Sequence, residues 1–325
     1  MAPRILIVGG AGYIGSCCAA LFRDAGWQTE CFDDLSTGHR QAVSGPLHVG
    51  DIRDRDALAA VLRDGRYDGV MHFAAKSLVG ESTKAPLRYF DNNVAGTTAL
   101  LAMMAEHGVK NLVFSSTCAI YGDPVRLPLD ESHPRAPVSP YGESKDLVER
   151  MLATIRQRED LRVTTLRYFN AAGALPDHGL GESHQPESHL IPLALQAALG
   201  QRPPLALFGE DYPTRDGTCV RDYIHVADLA DAHKLAMQRL LDGDKGDAYN
   251  VGTGIGTTVR EVLDSVGRVL GQPVPHHSAP RREGDPPELY AQADKIRTTL
   301  GWEPRFTRID DIVETAAQWA RAPRF

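Results

Sequence analysis

The sequence lacks an excess of positive charge, a long apolar run and a paired-cysteine motif. Its 325 residues carry 35 Lys+Arg against 42 Asp+Glu, a net charge of −7. Binding to a phosphate backbone leans on a basic surface, so no nucleic-acid partner is expected. No apolar stretch approaches the ~20 residues that span a bilayer, so no membrane segment is expected. The opening MAPRILIVGG is too short for a signal-peptide core. The five cysteines include adjacent Cys17 and Cys18, with Cys31, Cys118 and Cys219 scattered. No CxxC pair exists, which disfavours a zinc centre, a redox motif or a disulfide scaffold and fits the cytoplasm. Internal repeats and low-complexity segments are absent too. What remains, 42% hydrophobic and 24% charged, is a globular composition with ample material for a core.

The first half alternates buried-strand and helix patterns. Arg4 to Val8 is a nearly continuous apolar run, as a strand buried on both faces requires. Glycines 9 to 12 break it. Ile14, Cys17, Cys18, Leu21, Phe22 and Ala25 then recur at helical spacing. Further strands are expected at Gln28 to Asp33, Leu47 to Asp51, Gly69 to Phe73, Asn111 to Ser115 and Arg162 to Tyr168. Helices are expected between them, including Val94 to Met104 and one striped by Leu147, Val148, Met151, Leu152 and Ile155. This alternation predicts an α/β fold, a doubly wound parallel sheet of Rossmann type over residues 1–170. Beyond it the chain is rich in Gly, Pro and His. Residues 171–325 read as a smaller substrate-binding domain, with a return excursion to the main sheet near 220–245.

GGAGYIGS follows the first strand and opens the first helix. Glycines here let a diphosphate approach backbone N–H groups at a helix N-terminus, where a Cβ would block it. Gly9, Gly12 and Gly15 fit this role. The second strand ends at Asp33, 18 residues beyond Gly15. A carboxylate there accepts both hydroxyls of an adenosine ribose and repels a 2′-phosphate, so NAD is expected rather than NADP. Asp51 fits either an adenine amino contact or a helix N-cap. Phe73, Ala74 and Ala75 end a strand with small residues that leave room for a cofactor.

Tyr141 and Lys145 lie one helical turn apart in SPYGESK. A free phenol, with pKa near ~10, is a poor base at neutral pH. A nearby Lys cation favours the tyrosinate, which makes the pair suited to pulling a proton from an alcohol. Ser115, Ser116 and Thr117 fall at the carboxyl end of a strand, where ligands bind in such sheets. The Thr117 hydroxyl can hold the reacting oxygen. His276 and His277 have no partner at metal spacing, so no metal is expected. His225 reads as a packed, hydrogen-bonded side chain.

The glycine motif, FSSTCAIYG and SPYGESK resemble the extended short-chain dehydrogenase/reductases. Together with GDIRD, FAAKSLVGES, YFDNNVAGT, LRYFNAAGA, HLIPL, LALFGEDYPTRDGTCVRDYIHV, NVGTG and PRREGDP, they resemble most narrowly the branch that epimerises nucleotide sugars at C4. The resemblance covers nearly the whole chain. It implies NAD-dependent interconversion of UDP-glucose and UDP-galactose through a transient 4-keto sugar, with Tyr141, helped by Thr117, taking the 4-hydroxyl proton. It implies that Lys145 also bonds the nicotinamide ribose. By position it implies cofactor contacts from Tyr13, Ile14, Asp33, Asp34, Leu35, Ser36, Thr37, Gly38, Asp51, Ile52, Phe73, Ala74, Ala75, Lys76, Ser77, Asn92 and Phe169. It implies UDP-hexose contacts from Asn170, His189, Leu190, Ala206, Phe208, Arg221, Arg282 and Asp285. Two guanidinium forks suit a diphosphate, although loop charges of this kind also occur simply solvated. A cytoplasmic homodimer pairing the helices near 94–104 and 147–155 is implied as well.

Three positions depart from many relatives. Lys76-Ser77 replaces a pattern with lysine one place later, Thr117 stands where Ser is common, and Leu289 has intermediate bulk where size governs the C2 substituent. The rival branches are 4,6-dehydratases and epimerases of pentose, uronic or N-acetylated sugar nucleotides. Dehydratases carry Asp-Glu where this chain has Cys118 and Ala119, neither of which can act as a carboxyl acid. A non-catalytic NAD-binding regulator would be free to lose Tyr141 or Lys145, and both are present.

Overall fold

The computed structural model describes residues 2–158, 160–282 and 284–325. In chain order the elements begin β1 (Arg4–Val8), α1 (Tyr13–Asp24), β2 (Gln28–Asp33), β3 (Leu47–Val49), α2 (Arg55–Gly65), β4 (Gly69–His72), α3 (Val79–Lys84) and α4 (Pro86–Tyr89). A π-helical stretch, Phe90–Ala95, leads into α5 (Gly96–Glu106), followed by β5 (Asn111–Thr117), α6 (Pro140–Arg158) and β6 (Arg162–Tyr168). Then come β7 (Asn170–Ala172), α7 (Leu190–Ala198), β8 (Leu205–Phe208), β9 (Val220–His225), α8 (Val226–Leu241) and β10 (Ala248–Val251). The chain ends with β11 (Gly256–Thr258), α9 (Val259–Leu270), β12 (His276–Ala279), β13 (Glu288–Leu289), α10 (Asp294–Leu300) and α11 (Ile309–Arg321).

The chain divides into two compact units. The first holds the residues up to Gly122, Pro134–Arg167 and Ala230–Tyr249; the second holds Asp123–His133, Tyr168–Leu229 and Asn250–Phe325. The main sheet runs β10-β6-β5-β4-β1-β2-β3, and β1 pairs in parallel with both β2 and β4. Strand order therefore reverses at β1, and the loops after β1 and β4 open at that switch point, where ligands bind in open α/β sheets. Ile5, Leu6, Ile7 and Val8 are fully buried, which explains why β1 reads as an unbroken apolar run. Each such side chain contributes roughly 1.5–3 kcal/mol. Burial of α1 is wider than its expected stripe. Gly15, Ser16, Ala19 and Ala20 are buried beside Cys17, Cys18 and Phe22, while Ala25 is exposed. Small residues on that side let the helix sit close to its surroundings.

Within the expected return near 220–245, residues from Ala230 on group with the first unit, and the strand that joins the main sheet is β10. β9 pairs instead with β7, β11 and β13 in a separate small sheet. The second unit has its own core, in which Ile191, Leu195, Val262, Val266 and Val313 meet. Among the described residues no helix is long and apolar enough to cross a membrane.

Candidate active site

The loop after β1 turns because Gly9 adopts φ +85°, a left-handed conformation that a side chain disfavours. A Cβ on Gly9 would overlap the backbone of Phe73 and Ala74, and one on Gly15 would strike the Gly9 carbonyl oxygen. The start of α1 takes no side-chain cap at Gly12 and has no acidic residue in its first turn. An acid there would repel a diphosphate; its absence leaves the helix end suited to one.

Asp33 ends β2, buried. Its two oxygens accept from Ala11 N–H at 2.9 Å and Leu35 N–H at 2.8 Å. Burial pushes its pKa up, and the two N–H groups pull against that shift. Leu35 sits at φ 59°, a strained conformation at a loop that a ligand would explain. Around it Asp34, Ser36 and Thr37 are exposed and Gly38 is half-buried. A carboxylate pinned this way, beside a glycine cradle, fits an adenine dinucleotide with free ribose hydroxyls. We expect Asp33→Ala to weaken NAD binding ~10–100-fold, as loss of charge-assisted hydrogen bonds implies, and to relax discrimination against NADP. Cofactor content of the purified variant, measured after denaturation, checks this.

Asp51 is not a helix cap; Asp54 caps α2. The Asp51 carboxylate instead meets Arg53, which holds its pKa low, and Arg53 also pairs with Asp91. Ile52 is buried. Phe73, Ala74, Ala75 and Lys76 are half-buried after β4, and Ser77 is exposed. The Lys76 main chain is held on both sides by Asn93, whose Oδ1 accepts its N–H at 2.9 Å and whose Nδ2 donates to its carbonyl at 3.0 Å. Asn93 Nδ2 also reaches Ser144 Oγ at 2.9 Å, so one amide ties the β4 loop to α6. Asn93 lies next to the expected contact Asn92, which is buried and donates to Asn93 at 3.0 Å.

Helix α6 begins at Pro140, so Tyr141 and Lys145 share its first turns. The Tyr141 phenol faces the Thr117 hydroxyl at the end of β5, which acts to lower its pKa. Burial outweighs this and pushes the phenol up to about 12. Lys145 Nζ donates to the Ser115 carbonyl at 2.7 Å and lies 4.8 Å from the Phe114 ring centroid. Burial lowers the Lys145 ammonium to about 7, against the pull of Glu149. The structure thus brings Thr117, Tyr141 and Lys145 together.

The remaining expected contacts lie in the second unit, where Phe169 is buried and Asn170 opens β7. Ala206 and Phe208 alternate along β8, half-buried on one face, and the Arg282 guanidinium lies 4.0 Å from the Phe208 ring centroid. Arg221 is not a free fork. It donates to the carbonyls of Val220 and Pro286 at 2.8 and 2.9 Å and pairs with Asp285. Arg221 also stands opposite Leu289 in the pairing of β9 with β13.

His189 precedes α7, which Leu190 opens. Its Nδ1 lies 2.6 Å from Glu182 and 3.0 Å from Glu187. Burial works against a charge on His189, yet these carboxylates outweigh it and push its pKa up to about 10. They raise His184 similarly, to about 9. The group Glu182, His184, Glu187 and His189 has donor atoms within 4.8 Å of one another, but two carboxylates and two imidazolium rings already balance in charge. His225 is a packed side chain, stacked on Phe306 and bonded to Thr315. His276 and His277 are exposed on β12.

A family model described as the NAD dependent epimerase/dehydratase family matches residues 5–252. The chain is 49% identical to a UDP-glucose 4-epimerase of Halalkalibacterium halodurans over 316 residues, covering 97% of this chain and 95% of that one. Among solved structures it resembles a UDP-glucose 4-epimerase from Brucella ovis in complex with NAD, with a TM-score of 0.95, 46% identity, and 97% and 98% of the two chains covered. It also resembles one from Bifidobacterium longum in complex with NAD+ and UDP, with a TM-score of 0.92, 35% identity and 98% of each chain covered.

Proposed function

This chain belongs to the NAD dependent epimerase/dehydratase family, and we propose that it interconverts UDP-glucose and UDP-galactose by inverting C4 of the sugar. The observation that carries this reading is the near-full-length similarity to UDP-glucose 4-epimerases at about half identity. Tyr141, the neighbouring Thr117 hydroxyl and Lys145 supply the chemistry such a reaction needs.

NAD⁺, when bound, would accept the C4 hydrogen with its two electrons as a hydride and give it back. The rest falls to side chains. Tyr141 takes the proton of the 4-hydroxyl as C4 is oxidised and gives it back as C4 is reduced. Thr117, facing the phenol, favours its deprotonated form and orients the reacting oxygen. Lys145 stabilises the tyrosinate by its charge. The sugar passes through a 4-keto intermediate and must present its other face before reduction. That requires its diphosphate to stay held while the hexose turns.

For the UDP moiety we assign Asn170, His189, Leu190, Ala206, Phe208, Arg221, Arg282 and Asp285. His189, bound to Glu182 and Glu187, is fixed at the start of α7, beside Leu190. Arg221 is bound to Asp285, so the two act as a unit in which the arginine fixes the carboxylate for ribose hydroxyls. We place the enzyme in the cytoplasm, a reading supported by five free cysteines. We assign a homodimer through α5 and α6, where Leu147 is exposed. Sedimentation at micromolar protein tests the dimer, and a purely monomeric boundary removes it.

The deciding experiment is incubation of the purified protein with UDP-galactose carrying deuterium at C4, without added NAD. UDP-glucose that retains the label is the expected product. A 4-keto-6-deoxy product would indicate dehydration, which Cys118 and Ala119 argue against. Label lost to water would sink the oxidation–reduction route.

A further inference from the structure

We propose that Glu149 is a positioning residue for the Tyr141–Lys145 pair, fixing helix α6 on strand β5 and placing a negative charge one turn behind Lys145. The inference rests on the catalytic reading of Tyr141 and Lys145 given above.

Three successive turns of α6 meet three consecutive residues of β5. Tyr141 faces Thr117, Lys145 Nζ donates to the Ser115 carbonyl, and Glu149 Oε1 accepts from Ser116 Oγ at 2.5 Å. The Glu149 side chain is only 4% exposed, and the Arg167 side chain beside it 6%. Arg167 donates through Nε at 3.0 and 3.2 Å and through Nη2 at 2.6 Å, while Arg135 adds a contact at 3.1 Å. Arg167 is itself fixed by the Tyr121 hydroxyl at 3.0 Å. The carboxylate is thus held from β5, from β6 and from the segment before α6, and it cannot shift without breaking several bonds.

A buried ion pair is weak evidence for stability, because desolvation offsets the attraction and apolar side chains of similar volume often serve as well. What the charge adds is direction and field. Its geometry sets the register of α6, and hence where the phenol meets Thr117. Its field acts on Lys145, where Glu149 is the anion that opposes the loss of the ammonium proton. His72 on β4 also faces Lys145; it is buried against Thr97, and burial holds its pKa low.

The test is the pH dependence of kcat and KM with UDP-galactose for three variants of the full-length holoenzyme. Glu149→Gln should lower kcat ~10-fold with KM within about twofold, and should move the alkaline limb down by on the order of one pH unit. Glu149→Asp keeps the charge but not the reach. It should leave that limb in place while kcat falls a few-fold. Ser116→Ala should resemble Glu149→Asp, and it decides the positioning role by itself where Glu149→Gln does not fold. A folded Glu149→Gln with unchanged kcat and limb, or Ser116→Ala with unchanged kcat, overturns the proposal. Full activity in Tyr141→Phe would instead bring down the catalytic reading, so the two failures are separable.

Discussion

Tyr141→Phe is expected to lower turnover of UDP-galactose by ~10²-fold or more while NAD remains bound. The substitution removes one oxygen from a half-buried ring and leaves the glycine cradle and Asp33 untouched. Proton removal from the 4-hydroxyl must accompany oxidation at C4, and Thr117 alone, with its far higher pKa, is a poor substitute base. Burial already disfavours the phenolate, pushing the group up to about 12. Thr117 and the positive charges brought close on binding must overcome that. Steady-state assays, paired with release of cofactor on denaturation, separate lost chemistry from lost binding. Full activity with normal cofactor content would eliminate the phenol as the acid–base group.

Lys145→Met is expected to cost a similar factor by a different route. Opposite unit charges a few ångströms apart, at an effective dielectric of ~20, attract by roughly 3–4 kcal/mol, which sets the scale for an ammonium beside a phenolate. Losing that amounts to ~10²-fold in the fraction of tyrosinate at neutral pH. The sign follows from the charge. Without the ammonium the tyrosine pKa rises further, so the acid limb of kcat/KM should move to higher pH, with part of the activity recovered in alkaline buffer. In the wild type the lysine itself, lowered by burial to about 7, loses its proton as pH rises through that value unless a bound ligand holds it. A variant with a normal pH profile and normal kcat would show that the lysine only packs.

Much of the first unit was readable because its signals are local. The bounds of β1, β2 and β6 match the expected strands, and β1, an apolar run buried on both faces, needs nothing from distant sequence to be recognised. The helix between Val94 and Met104 starts later, at Gly96, because the asparagine pair forms a π-helical stretch before it. Other features depend on residues far apart. β10 is four residues long and follows a polar turn, too short to announce that it returns to the main sheet. Residues 123–133 join the second unit through contacts such as Leu129 with Ala291, which no periodicity encodes. The pairing of Arg221 with Asp285 links positions 64 apart. It turns an expected diphosphate clamp into an internally satisfied pair. Glu149 was passed over because its neighbours come from β5, β6 and Arg135, not from its own helix.

The hydrogen bonds that fix Asp33 to Ala11 and Leu35 have a thermodynamic consequence. The side chain and both loops have surrendered their conformational entropy during folding, before any guest arrives. Uptake of the dinucleotide at that end should therefore carry little ordering penalty, leaving long residence and slow escape as the natural outcome. A catalyst that returns its electrons each cycle has no need to exchange the molecule that stores them.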